Sequence, residues 1–447
     1  MTFKLSIYQF IRSKEVRISL LLILLLGLIG VFIGKRHIIQ QEKAISEVTV
    51  YQKDHFERYV HAHNDDLGLL LYYIKFAFIN PSSPLSGISI GQSDVNPSIE
   101  RITIKTLEAQ KHDTDLINPM NLQSGNLDLS FVLIYLFPLL IIVLVFNALS
   151  EETDTGTWSL ISIQTKSKLR FIINKLWVRF LFVTSILVLL FLSVVLILNT
   201  SFTVELLFMF LLSALYIAFW FTLSFFFISF KKSSRFNALI LLTTWLVLLI
   251  LLPSGINAYV TSTYPIPEAL NAAIVQRDGY HTKWDKEKLP TIQKFYAHYP
   301  QFEKYGYPTD GFNWLWYYAM QQMGDDDSQQ ERRALNIKIH KRVEVSRSIA
   351  SWIPNMHMQL TFNKLAGNSL EQHIEFLEAT ERFHEKLRLF FYPKIFEGQL
   401  AESIDWEGFT PEYYHVNKEI TSGKSLIPLL VAIISIILFS IPMARKI

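Results

Sequence analysis

Six apolar runs divide this chain: Ile18–Gly34, Leu129–Leu149, Leu176–Leu198, Phe202–Phe230, Phe236–Leu252 and Leu426–Met443. Each is close to the ~20 residues that a helix rising 1.5 Å per residue needs to cross ~30 Å of hydrocarbon. The polar material between them is very unequal. Intervals 35–128 and 253–425 are large and soluble in character, whereas the other three connections are short. This partition predicts an all-α membrane protein of six transmembrane helices. Both large insertions fall on one side and build a helix-rich extracytoplasmic domain with a minor β component.

Composition agrees with a bilayer setting, because 50% hydrophobic and 18% charged residues would leave a soluble globule of 447 residues hard to keep dispersed. The net charge of +3 gives no reason to expect a nucleic-acid partner. With no cysteine, disulfides, thiolate metal sites and cysteine nucleophiles are excluded. The first apolar run is followed by Lys35, Arg36 and His37 where a cleavable signal needs small residues, so it reads as an uncleaved anchor.

Basic residues set the orientation. Lys4, Arg12, Lys14 and Arg17 precede the first run, and Lys166, Lys168, Arg170 and Lys175 follow the second. Lys231, Lys232 and Arg235 follow the fourth, and Arg445 and Lys446 follow the sixth. All four groups share one face of a six-span topology, and the positive-inside rule makes that face cytoplasmic. The expected order is therefore a cytoplasmic interfacial helix over 1–17, a span over 18–34, an extracytoplasmic segment over 35–128 and a span over 129–149. A cytoplasmic coupling segment over 150–175 follows, then three spans within 176–252, the second extracytoplasmic segment over 253–425, the last span over 426–443 and a cytoplasmic tail over 444–447. Both termini are expected in the cytoplasm of a bacterium, with the chain multi-pass in the inner membrane and the large domain periplasmic.

Within the first insertion a long helix is expected from Gln40 to about Asn80, then a strand over Arg101–Lys105. In the second, helices are expected over Ser328–Ser351 and from Asn368, where Glu371 supplies a capping-box-like start. His384 lies on the apolar stripe of that last helix and reads as a packing histidine. Asp325-Asp326-Asp327 reads as solvated turn charge with a preference for a helix N-terminus.

No phosphate-binding G-x-x-x-x-G-K-[ST] loop occurs, so ATP hydrolysis requires a separate chain. Ionisable residues are nearly absent from the spans, which disfavours ion-coupled transport. Glu151, Glu152, Gly156, Thr157 and Trp158 lie in the connection after the second run, where Gly156 permits a tight bend and Trp158 opens an amphiphilic segment. His61, His63, Asp65 and Asp66 cluster, but residues two apart on a helix diverge, so a solvated surface is preferred there over a metal site. Gly91-Gln92-Ser93-Asp94 reads as a turn rather than a nucleophile elbow.

Several segments in order now carry a resemblance: Asn118-Pro119 through Asp128, Phe131-Val132, Pro138-Leu139-Leu140, and Glu152-x-x-x-Gly156-Thr157. They are joined by Gly91-Gln92-Ser93-Asp94, Ser233-Ser234 with Asn237-Ala238, Tyr264-Pro265-Ile266-Pro267, and Leu365-Ala366-Gly367-Asn368-Ser369 with Phe383-His384. Together they resemble the type-2 ABC transporter permeases, and more narrowly an uncharacterised branch with a split ectodomain, related to gliding-motility and copper-maturation ABC permeases. The resemblance implies a membrane permease subunit, itself not an enzyme, working with a cytoplasmic ABC ATPase dimer and a second permease chain, alike or a sister. It places ATP and Mg²⁺ on the ATPase and no cofactor in this chain, and it puts Glu152, Gly156 and Thr157 at the segment the ATPase grips. Gln164-Thr165-Lys166-Ser167 departs from the family, which commonly has a proline-containing turn there. Export is the expected direction. The alternatives are a membrane-anchored enzyme, a sensor or mechanical component of an ABC-type complex, and a metal-handling ABC permease.

Overall fold

The computed structural model describes residues 3–111, 126–165, 167–268, 271, 274–275, 282–284, 287–308, 311–415 and 423–444. Asn118-Pro119, Lys166, Arg445 and Lys446 lie outside these. Six helices are long and apolar enough to cross a membrane: α2 (Lys14–Ala62), α4 (Leu129–Asp154), α6 (Lys168–Leu198), α7 (Val204–Ile228), α8 (Ser234–Thr263) and α14 (Ile427–Ala444). The protein is an all-α membrane protein with an additional helix-rich domain. A short amphipathic helix, α1 (Phe3–Arg12), precedes α2, and Ser13 caps α2 by accepting from Val16 N at 3.3 Å.

In the bundle α7 is central, packing on α14, α6 and α4. Small residues let α2 approach closely. A Cβ on Gly30 would meet the Asp128 backbone at 2.9 Å, and one on Gly34 would collide with Gly87 O. Two π-helical turns, Val132–Leu136 in α4 and Val247–Leu251 in α8, leave carbonyls that side chains satisfy. Tyr216 OH donates to Ile134 O at 3.0 Å, Trp245 Nε1 to Tyr135 O at 3.1 Å and Asn355 Nδ2 to Leu248 O at 2.8 Å.

The additional domain draws on both insertions. From the first come the outer half of α2, α3 (Leu67–Tyr73), β1 (Phe76–Ile79) and β2 (Ile99–Ile102). The second supplies α9 (Lys288–His298), α10 (Trp314–Asp327), α11 (Gln329–Ala350), α12 (Pro354–Ala366), α13 (Leu370–Phe396) and β3 (Glu412–Tyr413). β1 lies between β2, antiparallel with Phe76 opposite Ile102, and β3, parallel with Phe78 opposite Glu412. One core joins Phe56, Phe76 and Ile102 from the first insertion to Phe295, Tyr318 and Phe391 from the second.

Several local expectations are corrected. The long helix does not reach Asn80: α2 ends at Ala62, and Asp66 starts α3 by accepting from Leu69 N at 3.0 Å. Phe76–Ile79 is then a fully buried strand with no alternation to betray it. The strand expected over Arg101–Lys105 is Ile99–Ile102, because Thr103 N turns to Gln110 Oε1 at 2.7 Å. The last long helix starts one residue later than expected, with Ser369 and Gln372 as the capping box, since Asn368 donates instead to Ser89 O at 2.7 Å. Asp325-Asp326-Asp327 ends α10 rather than starting a helix, where the dipole is unfavourable for carboxylates. Basic partners offset this: Arg388 for Asp325 at 2.7 Å, His298 for Asp326 at 2.8 Å, and Lys283 for Asp327.

Candidate functional site

Two polar constructions stand at opposite ends of the bundle. α4 carries the chain between them, and its 26 residues are about 39 Å long.

At the end remote from the additional domain, α4 leaves the apolar core at Ser150 and the chain turns at Gly156, whose φ of +74° favours glycine. Nothing lies within 4 Å of a Cβ built there, so only the backbone conformation constrains the position. The turn is clasped from both sides. Thr157 Oγ1 donates to Glu152 Oε2 at 2.5 Å, and Lys175 of α6 pairs with Glu152 Oε1. The Ser150 and Ser234 hydroxyls are 2.6 Å apart, Ser234 Oγ also donates to Asp154 Oδ2 at 3.1 Å, and Asn237 Nδ2 donates to Phe146 O at 3.2 Å. The clasp therefore unites the ends of α4, α6 and α8.

The elbow exposes residues 153–157, with Glu151 beside them. Trp158, which opens α5 (Trp158–Gln164), is half-buried and packs against the bundle core, with Lys168 Nζ 6.0 Å above its ring. Ile163 is 83% exposed and offers apolar surface to a neighbour. Reading the sequence put Glu152, Gly156 and Thr157 in one segment but counted Lys175 only among the basic residues that set the orientation. Its place two turns into α6 was the signal for a partner, because burying a lysine requires one.

At the other end, Asp128 caps α4. Its carboxylate accepts from Phe131 N at 2.7 Å, Ser130 Oγ at 2.8 Å and Ile90 N at 2.8 Å. Burial pushes this carboxyl above the usual range, against the lowering effect of those hydrogen bonds. The two motifs noted in the sequence meet here. Gly91, at φ +59°, sits where a Cβ would touch Asn368 O at 2.9 Å, and Ser89 Oγ donates to Asn363 Oδ1 at 2.7 Å. Ser93 Oγ is 3.0 Å from His37 Nε2, and Asp94 Oδ2 accepts from Asn126 Nδ2 at 2.6 Å. Gln92 is exposed, with its carbonyl accepting from Val95 and Asn96.

Across this end lies α12. Asn355 engages α8, His357 Nε2 donates to Ser425 O at 2.6 Å just before α14, and Gln359 Nε2 bonds Asn363 Oδ1 at 2.9 Å. Met358 and Phe362 belong to the bundle core, so α12 closes the bundle like a cross-beam. Burial lowers the His357 pKa and favours its neutral form.

The histidines of the first insertion do not converge. His61 is exposed at the end of α2, His63 stacks on Tyr73 with centroids 5.5 Å apart, and Asp66 is engaged as the α3 cap and by Trp314 Nε1 at 3.1 Å. Asp65 is exposed. Among the described residues no group of three or more His, Asp or Glu is placed to hold a metal ion.

A bundle of six helices able to span a bilayer, clasped at one end and roofed by a folded domain at the other, defines a multi-pass membrane protein. A family profile described as ABC-2 family transporter protein matches residues 3–272, more than half of the chain, and the chain belongs to that family. A second profile, a domain of unknown function (DUF3526), matches residues 270–415, which includes α9–α13 and β3. No curated protein and no solved structure matches. The protein is thus a multi-pass membrane permease subunit of an ABC transporter and not its ATPase, and in general such permeases associate with an ABC ATPase and another permease subunit.

Proposed function

We propose that this permease is half of the membrane unit of an exporter, driven through residues 151–170 by a separate cytoplasmic ATPase dimer that carries the ATP and Mg²⁺. The observation supporting this reading is the clasp of Glu152 with Thr157 and Lys175. It makes the exposed elbow a stiff extension of α4 and α6, so a push on it is transmitted rather than absorbed. In this reading the elbow and both termini lie in the cytoplasm of a bacterial cell and the DUF3526 region is periplasmic, as the basic residues flanking the spans suggest. A second permease, identical or a sister chain, completes the path, and the branch is the split-ectodomain one related to gliding-motility and copper-maturation permeases. Each ATPase state stabilises the bundle state whose elbow it fits better, and the two permeases rock between states.

The test is to purify the chain from native membranes with its ATPase and compare ATP hydrolysis by the wild-type complex with that of Glu152→Lys. Loss of permease-dependent hydrolysis with normal membrane insertion is expected; unchanged hydrolysis would sink the assignment of the elbow.

A further inference from the structure

Among the described residues, the most exposed large side chain at the base of the additional domain is Trp352, 77% exposed in the elbow between α11 and α12. Its height along the bundle can be read from two independent sets of contacts. On one side, α11 runs alongside the outer end of α8: Arg342 Nε donates to Tyr264 O at 2.6 Å and Arg342 Nη2 to Thr261 O at 3.4 Å. Lys338 Nζ donates to Pro265 O at 3.3 Å, one turn further out. Descending about nine residues, or ~13 Å, from Arg342 reaches Ser351, and the same descent from Thr261 on the antiparallel partner reaches Leu252. On the other side, Asn355 Nδ2 holds Leu248 O at 2.8 Å. Both routes put Trp352 beside Leu251 and Leu252.

Those residues end the apolar run of α8, and Ile250, Leu251 and Leu252 all present exposed apolar side chains there. Leu251 and Leu252 therefore mark the outer limit of the hydrocarbon for this span. Tryptophan favours that depth, because its ring is apolar while its N–H can reach the headgroup layer.

We propose that the Ser351–Trp352–Ile353 elbow is a lipid-contacting anchor by which the additional domain is moored in the outer leaflet, beside α8. The occupant of the surface is the bilayer interface itself, because the patch is continuous with the exposed apolar face of a spanning helix. The elbow leads directly into α12, so the mooring fixes one end of the cross-beam that closes the bundle, and the domain cannot swing clear of the membrane without dragging α12. Trp352 falls outside every apolar run, so the hydropathy pattern alone does not point to this role.

The chain has no cysteine, so a single Trp352→Cys substitution gives a unique labelling site in the full-length protein. A nitroxide there, in nanodiscs of phosphatidylethanolamine and phosphatidylglycerol, is compared by power saturation with labels at Leu251→Cys and Ile337→Cys. Leu251 is 54% exposed on the span, and Ile337 is 69% exposed on α11 about 22 Å further from the membrane. The expected result is oxygen accessibility at 352 close to that at 251, with nickel-complex accessibility several-fold lower than at 337. Nickel accessibility equal to that at 337 would place the elbow in water and overturn the proposal. Low accessibility to both reagents with spin–spin broadening would also overturn it, because a protein interface would then cover the surface. Should Trp352→Cys fail to give monodisperse protein, Ser351→Cys reads the same depth and is judged by the same outcomes.

Discussion

Asp325 and Arg388 form an ion pair sealed inside the additional domain, with 2.7 Å between carboxylate and guanidinium and side chains only 5% and 2% exposed. The pair is fully embedded in hydrogen bonds. Leu107 N donates to Asp325 Oδ1 at 3.0 Å, and the guanidinium donates to Ile104 O at 3.0 Å, Lys105 O at 2.8 Å and Gln322 Oε1 at 2.6 Å. Burial alone would lower the Arg388 pKa, but Tyr392 and Asp325 raise it above the ordinary value, so the charge is kept. The pair joins residues 104–107 of the first insertion to α10 and α13 of the second.

Removing one partner strands the other charge in the interior. Arg388→Met is expected to destabilise the domain by about 3–5 kcal/mol. Thermal unfolding of the full chain in detergent should show an early transition in the variant, and an unchanged melting curve would contradict the tie.

His384 makes stability depend on pH. The ring is buried and donates from Nε2 to Lys105 O at 2.8 Å. Burial, and then the nearby Arg388 charge, hold its pKa well below the ordinary value. Unfolding frees the ring to take a proton at its normal pKa near 6.5, so below that pH the unfolded state binds more protons and stability falls as pH falls. The loss begins near pH 6.5 and continues down to the folded pKa, at up to about 1.4 kcal/mol per pH unit. His384→Gln should be less stable than wild type at pH 7.5 yet lose less on going to pH 5, and parallel losses in both proteins would refute the assignment.

The spans were legible because burial in lipid demands long apolar runs, and nothing else in the chain imitates them. Glu152 and Gly156 were legible because charge and glycine at a span exit restrict what the chain does next. The interior of the additional domain was not. Asp325 looked like surface charge since its partner is 63 residues away in sequence, and only folding brings Arg388 to it. Nor could α12 be recognised as part of the bundle: Met358 and Phe362 are spaced as on any amphipathic helix, and the pattern cannot say which core they face.

The glycines of α2 separate two kinds of close approach. A Cβ on Gly34 would collide with Gly87 O, C and Cα, all backbone, whereas the three atoms nearest to one on Gly27 all belong to the Leu190 side chain. Gly34→Ala must displace the Ser86–Gly87 segment, and its cost should reach or exceed the upper end of the ~1–3 kcal/mol typical of overpacking. Gly27→Ala should cost less, because Leu190 can change rotamer. Melting temperatures of the two variants test the order, and equal losses would show that the Gly34–Gly87 contact is not the tighter one.

Glu152 serves the elbow in one of two ways, and exchanging charges with Lys175 tells them apart. Both side chains are partly buried, at 19% and 11% exposure, so either single reversal sets like charges together in the clasp. Losing such a charge-assisted bond costs about 1.5–3 kcal/mol. Glu152→Lys and Lys175→Glu alone should therefore each loosen the elbow and depress ATP hydrolysis by the associated ATPase. In the double exchange the pair re-forms with its polarity reversed, although Thr157 then faces a lysine and can no longer donate to the side chain of residue 152, keeping only its bond to the backbone carbonyl there. If Glu152 acts by stiffening the elbow, the double variant should recover a large part of the hydrolysis lost by each single one. Recovery no greater than the worse single variant would mean that the carboxylate itself touches the ATPase, and the clasp would then be incidental to coupling.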